Sequence, residues 1–233
     1  MSLTEMQVKS LTCWTISLIL PRRRPITPAR ATSSGVRSRS AASDLLAFFH
    51  DRLKVFLKDQ GIRHDIIDAA IAINAALGFL EPVANGIGGD AFCMLWDPKQ
   101  RKVVGFNGSG NSPRGLSLEV ARSKAIDGYL PRYGAVTVNV PGTVDAWWSA
   151  HQRYGKLPWK EVLLPVAELC EQGAPVPQVI AYYLERNMAA FDRGRIPIEE
   201  NDNRKRVYAP GGETPKVGQM FANPFLGKTL RLI

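Results

Sequence analysis

The side chains best placed for chemistry in this 233-residue chain gather in two glycine-rich loops. These are Asn85-Gly-Ile-Gly-Gly-Asp90 and Asn107-Gly-Ser-Gly-Asn-Ser-Pro113. Glycine permits positive φ and close backbone approach, so such a loop can offer backbone N–H groups together with Asn and Ser side chains to a bound group. Asp90 and Asn111 are the candidate rim residues of a pocket, and a pair of tight turns is the plain alternative. Elsewhere the chemistry is thin. His50, His64 and His151 have no partner at a defensible spacing. Glu168 and Glu171 share a helical side, but paired carboxylates act only across a cleft. Asp145 follows Pro141-Gly142 and reads as a helix-start charge favoured by the helix dipole rather than as a catalytic acid.

Cys13, Cys93 and Cys170 form an odd, sparse set without CxxC spacing or a neighbouring His cluster, so neither a disulfide framework nor a zinc site is expected. Cys93 and Cys170 lie among apolar neighbours and read as core thiols. No metal ligand set and no cofactor are expected.

The elements that must carry the loops follow from pattern. Ile66 to Leu80, IIDAAIAINAALGFL, is apolar on nearly every face, with Asp68 and Asn74 the polar exceptions, which predicts a buried helix. Glu81-Pro82 closes it. Ala91 to Trp96 and Val103 to Phe106 predict a hairpin across the turn at 97–102. Val136 to Val140 predicts a short strand closed by Pro141. Three helices follow: Val144 to Tyr154, Trp159 to Gln172 and Val179 to Phe191. Gly155 and Gly173 stand at the ends of the first two, where glycine suits a helix C-terminus. Trp147 and Trp148 are expected to pack in the core or on a sheet. Residues 193–218 are polar and read as a surface excursion. The order predicts a layered α+β domain.

The formal charge of +9 is uneven. Residues 1–65 carry 11 Lys/Arg against 5 Asp/Glu, and residues 66–233 carry 19 against 16. The excess thus belongs to an N-terminal arm, and no basic stripe interleaved with aromatics suggests nucleic acid as a partner of the domain. Between Arg22 and Ser43 the arm is rich in Arg, Ser and Thr, a composition that favours disorder. Leu45 to Leu57 carries an amphipathic run tied to no motif. Leu11 to Leu20 is too short to span a membrane and has only Lys9 ahead of it, so neither anchor nor signal is read there.

Five segments in order resemble the γ-glutamyltranspeptidase family. They are Asp68-Ala-Ala-Ile-Ala-Ile-Asn-Ala-Ala-Leu-Gly78, Glu81-Pro-Val-Ala-Asn-Gly-Ile-Gly-Gly-Asp-Ala-Phe92, Tyr133 to Trp147, Tyr154 to Gly173, and Asn223 to Ile233. The resemblance implies an αββα sandwich of the N-terminal-nucleophile hydrolase type, incomplete over these residues. It implies a precursor that cuts itself to expose a threonine, whose hydroxyl attacks a γ-glutamyl amide while its own α-amino group serves as base. In the family that threonine and most donor-binding residues lie in a smaller C-terminal chain, so no threonine here is nominated as catalytic. The 233 residues alone are expected to be inactive, with a small chain as partner and a γ-glutamyl compound such as glutathione as substrate.

One donor-binding arginine of the family lies in the larger chain. Counted back from Pro113, its position falls on Ser109. A γ-glutamyltranspeptidase-like and acylase subgroup, which the wording Asn107-Gly-Ser-Gly-Asn111 resembles more, often places arginine where Asn111 stands. Neither arginine is present, and a guanidinium is the strong bidentate partner of a carboxylate. Asn107, Ser109 and Asn111 are therefore the candidate substrate-binding residues. A second departure is Arg63-His-Asp-Ile-Ile-Asp-Ala-Ala70, where the family has a Gly-Gly-Asn-Ala-Val-Asp turn, and no opening strand is recognised upstream. An out-of-frame or divergent arm over residues 1–65 accounts for both. Two rival readings stand beside the first: the front part of a working enzyme encoded in pieces, and a binding module built around the basic arm.

Overall fold

The computed structural model describes residues 16–17, 66–97, 99–196 and 198–233. The expected disorder of the arm and the amphipathic run at 45–57 lie outside the described residues. The exception is β1 (Ile16–Ser17), which pairs parallel with Cys93 and Met94. No strand was expected there.

Helix α1 (Ile66–Leu80) runs through the centre, with Ile67, Ile71, Ala72, Ala75, Ala76 and Phe79 all buried. Its two polar exceptions are both used. Asn74 accepts from the indole N–H of Trp147 at 2.9 Å, and Asp68 is 1% exposed. The hairpin is β2 (Ala91–Asp97) and β3 (Lys102–Gly108), antiparallel in a register from Ala91↔Gly108 to Asp97↔Lys102. Asp97 sets its turn by accepting from the backbone N–H groups of Lys99 and Gln100 at 2.8 and 3.0 Å, and Arg101 takes the left-handed conformation at φ 52°.

The hairpin's two faces differ. Leu95 and Val104 are buried, and Phe106 and Cys93 pack against the same core, which is built with α1 and α3 (Thr143–Tyr154). Met94, Trp96 and Val103 point the other way and are exposed. Helix α4 (Trp159–Gln172) completes the layer, with Leu163 and Cys170 fully buried. Burial pushes the Cys170 thiol up to about 12 and raises that of half-buried Cys93. Helix α7 (Pro224–Leu232), capped by Asn223 Oδ1 on the Leu226 N–H, packs along α4 and is tied to it by a bidentate Arg231–Glu171 pair at 2.7 and 2.8 Å. Thus Glu171 is spent on a salt bridge and forms no acid pair with Glu168. Among the described residues no helix is long and apolar enough to cross a membrane.

Three expectations need correction. Val136 to Val140 is not a strand: Ala135–Thr137 is a single 3₁₀ turn, and the stretch after it makes no ladder, its Val140 N–H bonding Asn111 O at 2.9 Å. A lone valine-rich run without a neighbouring strand has no ladder to join. Trp148 does not pack in the core with Trp147; it is 45% exposed, against Trp159 and His151. The excursion at 193–218 contains helix α6 (Asn201–Tyr208), following α5 (Gln178–Asp192). Its anchor is polar: buried Arg204 bonds Asp192 at 2.7 Å and lies over the Phe191 ring. A short helix α2 (Leu118–Ser123), with Ser117 as its N-cap, was also unanticipated, as was the two-residue pairing of β4 (Ala174–Pro175) with β5 (Met220–Phe221).

Candidate functional site

The two glycine-rich loops meet a third segment, residues 139–143, at the N-terminus of α3. Gly89 O accepts from the N–H groups of Gly142 and Thr143 at 3.0 and 3.2 Å, which satisfies donors that a helix start leaves open. The second loop is held from the same side. Asn139 Nδ2 donates to Ser109 O at 3.3 Å, and Val140 N–H donates to Asn111 O. Within the loop, Ser109 N–H donates to Asn107 Oδ1 at 3.1 Å.

Glycine is required here by contact. A Cβ on Gly108 would meet the Ala146 methyl, Ala91 O at 2.9 Å and Gly142 O at 3.0 Å, and one on Gly142 would run into the backbone of Gly108 and Gly110. Gly110 also sits at φ 73°, a conformation that L side chains rarely adopt. The result is a clamp that holds residues 107–111 through glycine contacts and hydrogen bonds from residues 139–142. From it Asn107 and Asn111 project as exposed residues and Ser109 lies half-buried. Asp90 is exposed at the end of the first loop. Asp145 occupies the first turn of α3, where the dipole favours it. The clamp can present neutral hydrogen-bond donors; it holds no arginine.

A second polar group was missed. Asp68 Oδ2 accepts from the backbone N–H groups of Lys156 and Leu157, both at 3.0 Å, and Oδ1 lies 3.6 Å from His151 Nε2. His151 Nε2 in turn lies 2.8 Å from Leu157 O. This ties the α3–α4 turn to α1. The sequence shows its two halves only separately: a lone charge in an apolar helix, and a histidine four residues beyond Trp147 on the buried side of α3. Gly155, next to it, has an ordinary φ; a Cβ there would strike the His151 ring. Asn139 was missed as well, because its partner loop is 30 residues away. Among the described residues no cluster of three or more His, Cys, Asp or Glu is arranged to hold a metal.

A helix layer laid on one face of a small mixed sheet, with glycine-rich loops at its end, fits the α+β architecture of N-terminal-nucleophile hydrolases. The solved cephalosporin acylase from Bacillus halodurans superposes with a TM-score of 0.68 at 36% identity, over 78% of this chain and 33% of that one. Residues 56–233 match the family model described as gamma-glutamyltranspeptidase. The chain belongs to the γ-glutamyltranspeptidase family. The match begins ten residues before Ile66, inside what composition alone assigned to the arm. Curated relatives include glutathione hydrolase 3 of Arabidopsis thaliana, 28% identical over 72% of this chain and 25% of its own length. The glutathione hydrolase-like YwrD proenzyme of Bacillus subtilis (strain 168) is 29% identical over 71% of this chain and 30% of its own. The chain therefore spans between a quarter and a third of the length of these relatives.

Proposed function

We propose that these residues are the front part of a γ-glutamyl amide hydrolase or transferase, acting on compounds such as glutathione, in which this segment supplies scaffold and one wall of the donor pocket. The family match over residues 56–233 carries the reading. A relative named as a glutathione hydrolase and another named as a glutathione hydrolase-like proenzyme support it. In this reading the attacking threonine and its amine base belong to a small chain that completes the sheet layers. The wall is the clamped loop, where Asn107, Ser109, Asn111 and backbone N–H groups meet the donor's carboxylate. The absence of arginine from this loop weakens that contact and favours, as a second reading, donors with a less demanding carboxylate end, in keeping with the acylase likeness.

The test is turnover of a chromogenic γ-glutamyl anilide. Residues 1–233 as a purified polypeptide should give buffer background, and co-expression with a family small chain should restore release. Turnover by the 233 residues alone, persisting through independent purifications, would overturn the division of labour.

A further inference from the structure

The sequence contains two Asn-Gly pairs, and the fold treats them in opposite ways. In an Asn-Gly pair the glycine amide nitrogen can attack the asparagine side-chain carbonyl, because glycine lets the backbone reach the needed geometry. Asn107-Gly108 is denied this motion. Gly108 is buried at the end of β3, wedged between Ala91 O, Gly142 and Ala146, and Asn107 Oδ1 is held by the Ser109 N–H. Asn85-Gly86 is free to make it. Gly86 is exposed, a Cβ added to it would meet nothing within 4 Å, and its N–H has no hydrogen-bond partner among the described residues, while its carbonyl accepts from the Gly89 N–H at 3.3 Å. The residues before it are held, with Ala84 N–H and Asn85 N–H both donating to Glu81 O at 3.1 Å. The attacking nitrogen is thus left without a partner, while the backbone of its target residue is held.

We infer that Asn85 is a site of spontaneous self-modification, converting through a cyclic imide to aspartyl and isoaspartyl forms, while Asn107 is protected. The Gly86 nitrogen loses its proton and bonds to Asn85 Cγ; the Cγ–Nδ2 bond breaks and ammonia leaves with that proton. Solvent water then opens the ring at either carbonyl and leaves a carboxylate. No oxidant or reductant takes part. The consequence is local and directional. Asn85 Nδ2 donates to Glu81 Oε2 at 3.3 Å, so the product sets a carboxylate against the half-buried Glu81, whose carboxyl burial already holds above its ordinary value. Repulsion there loosens the exit of α1 and the loop that delivers Gly89 O to α3. The inference is independent of the proposed γ-glutamyl chemistry.

The experiment is peptide mapping by mass spectrometry of the purified chain held at pH 8.5 and at pH 6. Residue 85 should gain the mass of an amide-to-acid exchange, faster at the higher pH, with isoaspartate scored by enzymatic methylation. Asn107 should stay intact in the same digests. In denaturant both sites should convert at similar rates, because only the fold separates them. Gly86→Ala, which meets open space at ordinary φ, should slow conversion at 85 by roughly tenfold or more. Equal rates at 85 and 107 in the native protein, or conversion at 107 alone, would overturn the inference. Should the variant fail to fold, the native comparison of the two sites still decides.

Discussion

The two faces of the β2–β3 hairpin have nearly the same apolar content and opposite fates. On one face Leu95 and Val104 are buried with α1 and α3; on the other Met94, Trp96 and Val103 are exposed. Alternation along a strand assigns each residue to a face but does not say which face is covered. The family architecture supplies the missing half, since in an αββα sandwich a second sheet lies on the face away from the helices. The comparison teaches that a domain's own helices account for one face only. An apolar pattern on the other marks where further structure belongs.

The covered face should be the costly one to disturb. Leu95→Ala removes a buried side chain between the hairpin and the helices and should destabilise the protein by about 3 kcal/mol. Chemical denaturation read by circular dichroism measures it. A loss comparable to that of an exposed site would show that the two faces are not different in the way drawn here.

The loop proposed to meet the donor leaves the hairpin at Gly108, so the clamp inherits its position from the same strand. A hydrogen bond to a charged group contributes about 1.5–3 kcal/mol, and a neutral replacement about half of that. Asn111 is exposed and tolerates a longer side chain. The neutral loop should cost about tenfold in donor affinity, and in a preparation completed by a small chain Asn111→Arg should recover part of it, more for glutathione than for a donor without the α-carboxylate. Equal changes for both donors would detach this loop from carboxylate reading.

Legibility in the sequence followed where packing and pattern agree. Helix α1 was plain because its sequence is apolar on nearly every face and most of it is buried. The hairpin was legible within one or two residues, because its turn chemistry sits between two β-rich runs. Helix α6 was not, since Arg204 anchors it through hydrogen bonds and leaves no apolar stripe to read. Val136 to Val140 had strand composition but no partner, which composition cannot reveal. At the site the spans of both loops were visible, whereas the Asn139 tie and the Asp68–His151 contact depend on chain crossings that no local spacing encodes. The family resemblance, not periodicity, directed attention to Ser109 and Asn111.

Acid should probe the covered side through its turn. The Gln100 backbone N–H, aided by the Tyr154 hydroxyl and the Lys99 N–H, holds the Asp97 carboxyl below its ordinary range, and Arg231 does the same for Glu171. A lowered folded value means that the unfolded chain binds more protons in acid. Their contribution is complete above the ordinary carboxylate range and is lost as pH falls through the folded values. The thermal midpoint should therefore stay level from neutral to about pH 5 and decline below about pH 4. Asp97→Asn should remove part of that decline, and a midpoint already falling between pH 7 and pH 5 would assign it to other groups.

The smallest effect on stability belongs to the bare face, and it is the sharpest check on the comparison. Trp96 is 48% exposed and lies opposite Val103 in the register, so Trp96→Ser removes apolar surface that the described residues leave in water. Exposed substitutions of this kind shift stability within about 0.5 kcal/mol. Solution behaviour should change more. An exposed apolar sheet face promotes association, so the wild-type polypeptide should bind hydrophobic dye and self-associate, and Trp96→Ser should reduce both. Supplying a family small chain should suppress dye binding in the same way, because a second sheet would then cover Met94, Trp96 and Val103. If Trp96→Ser instead unfolds the chain, that face is covered within these 233 residues. If dye binding ignores both the substitution and the small chain, the sticky surface lies elsewhere on the molecule.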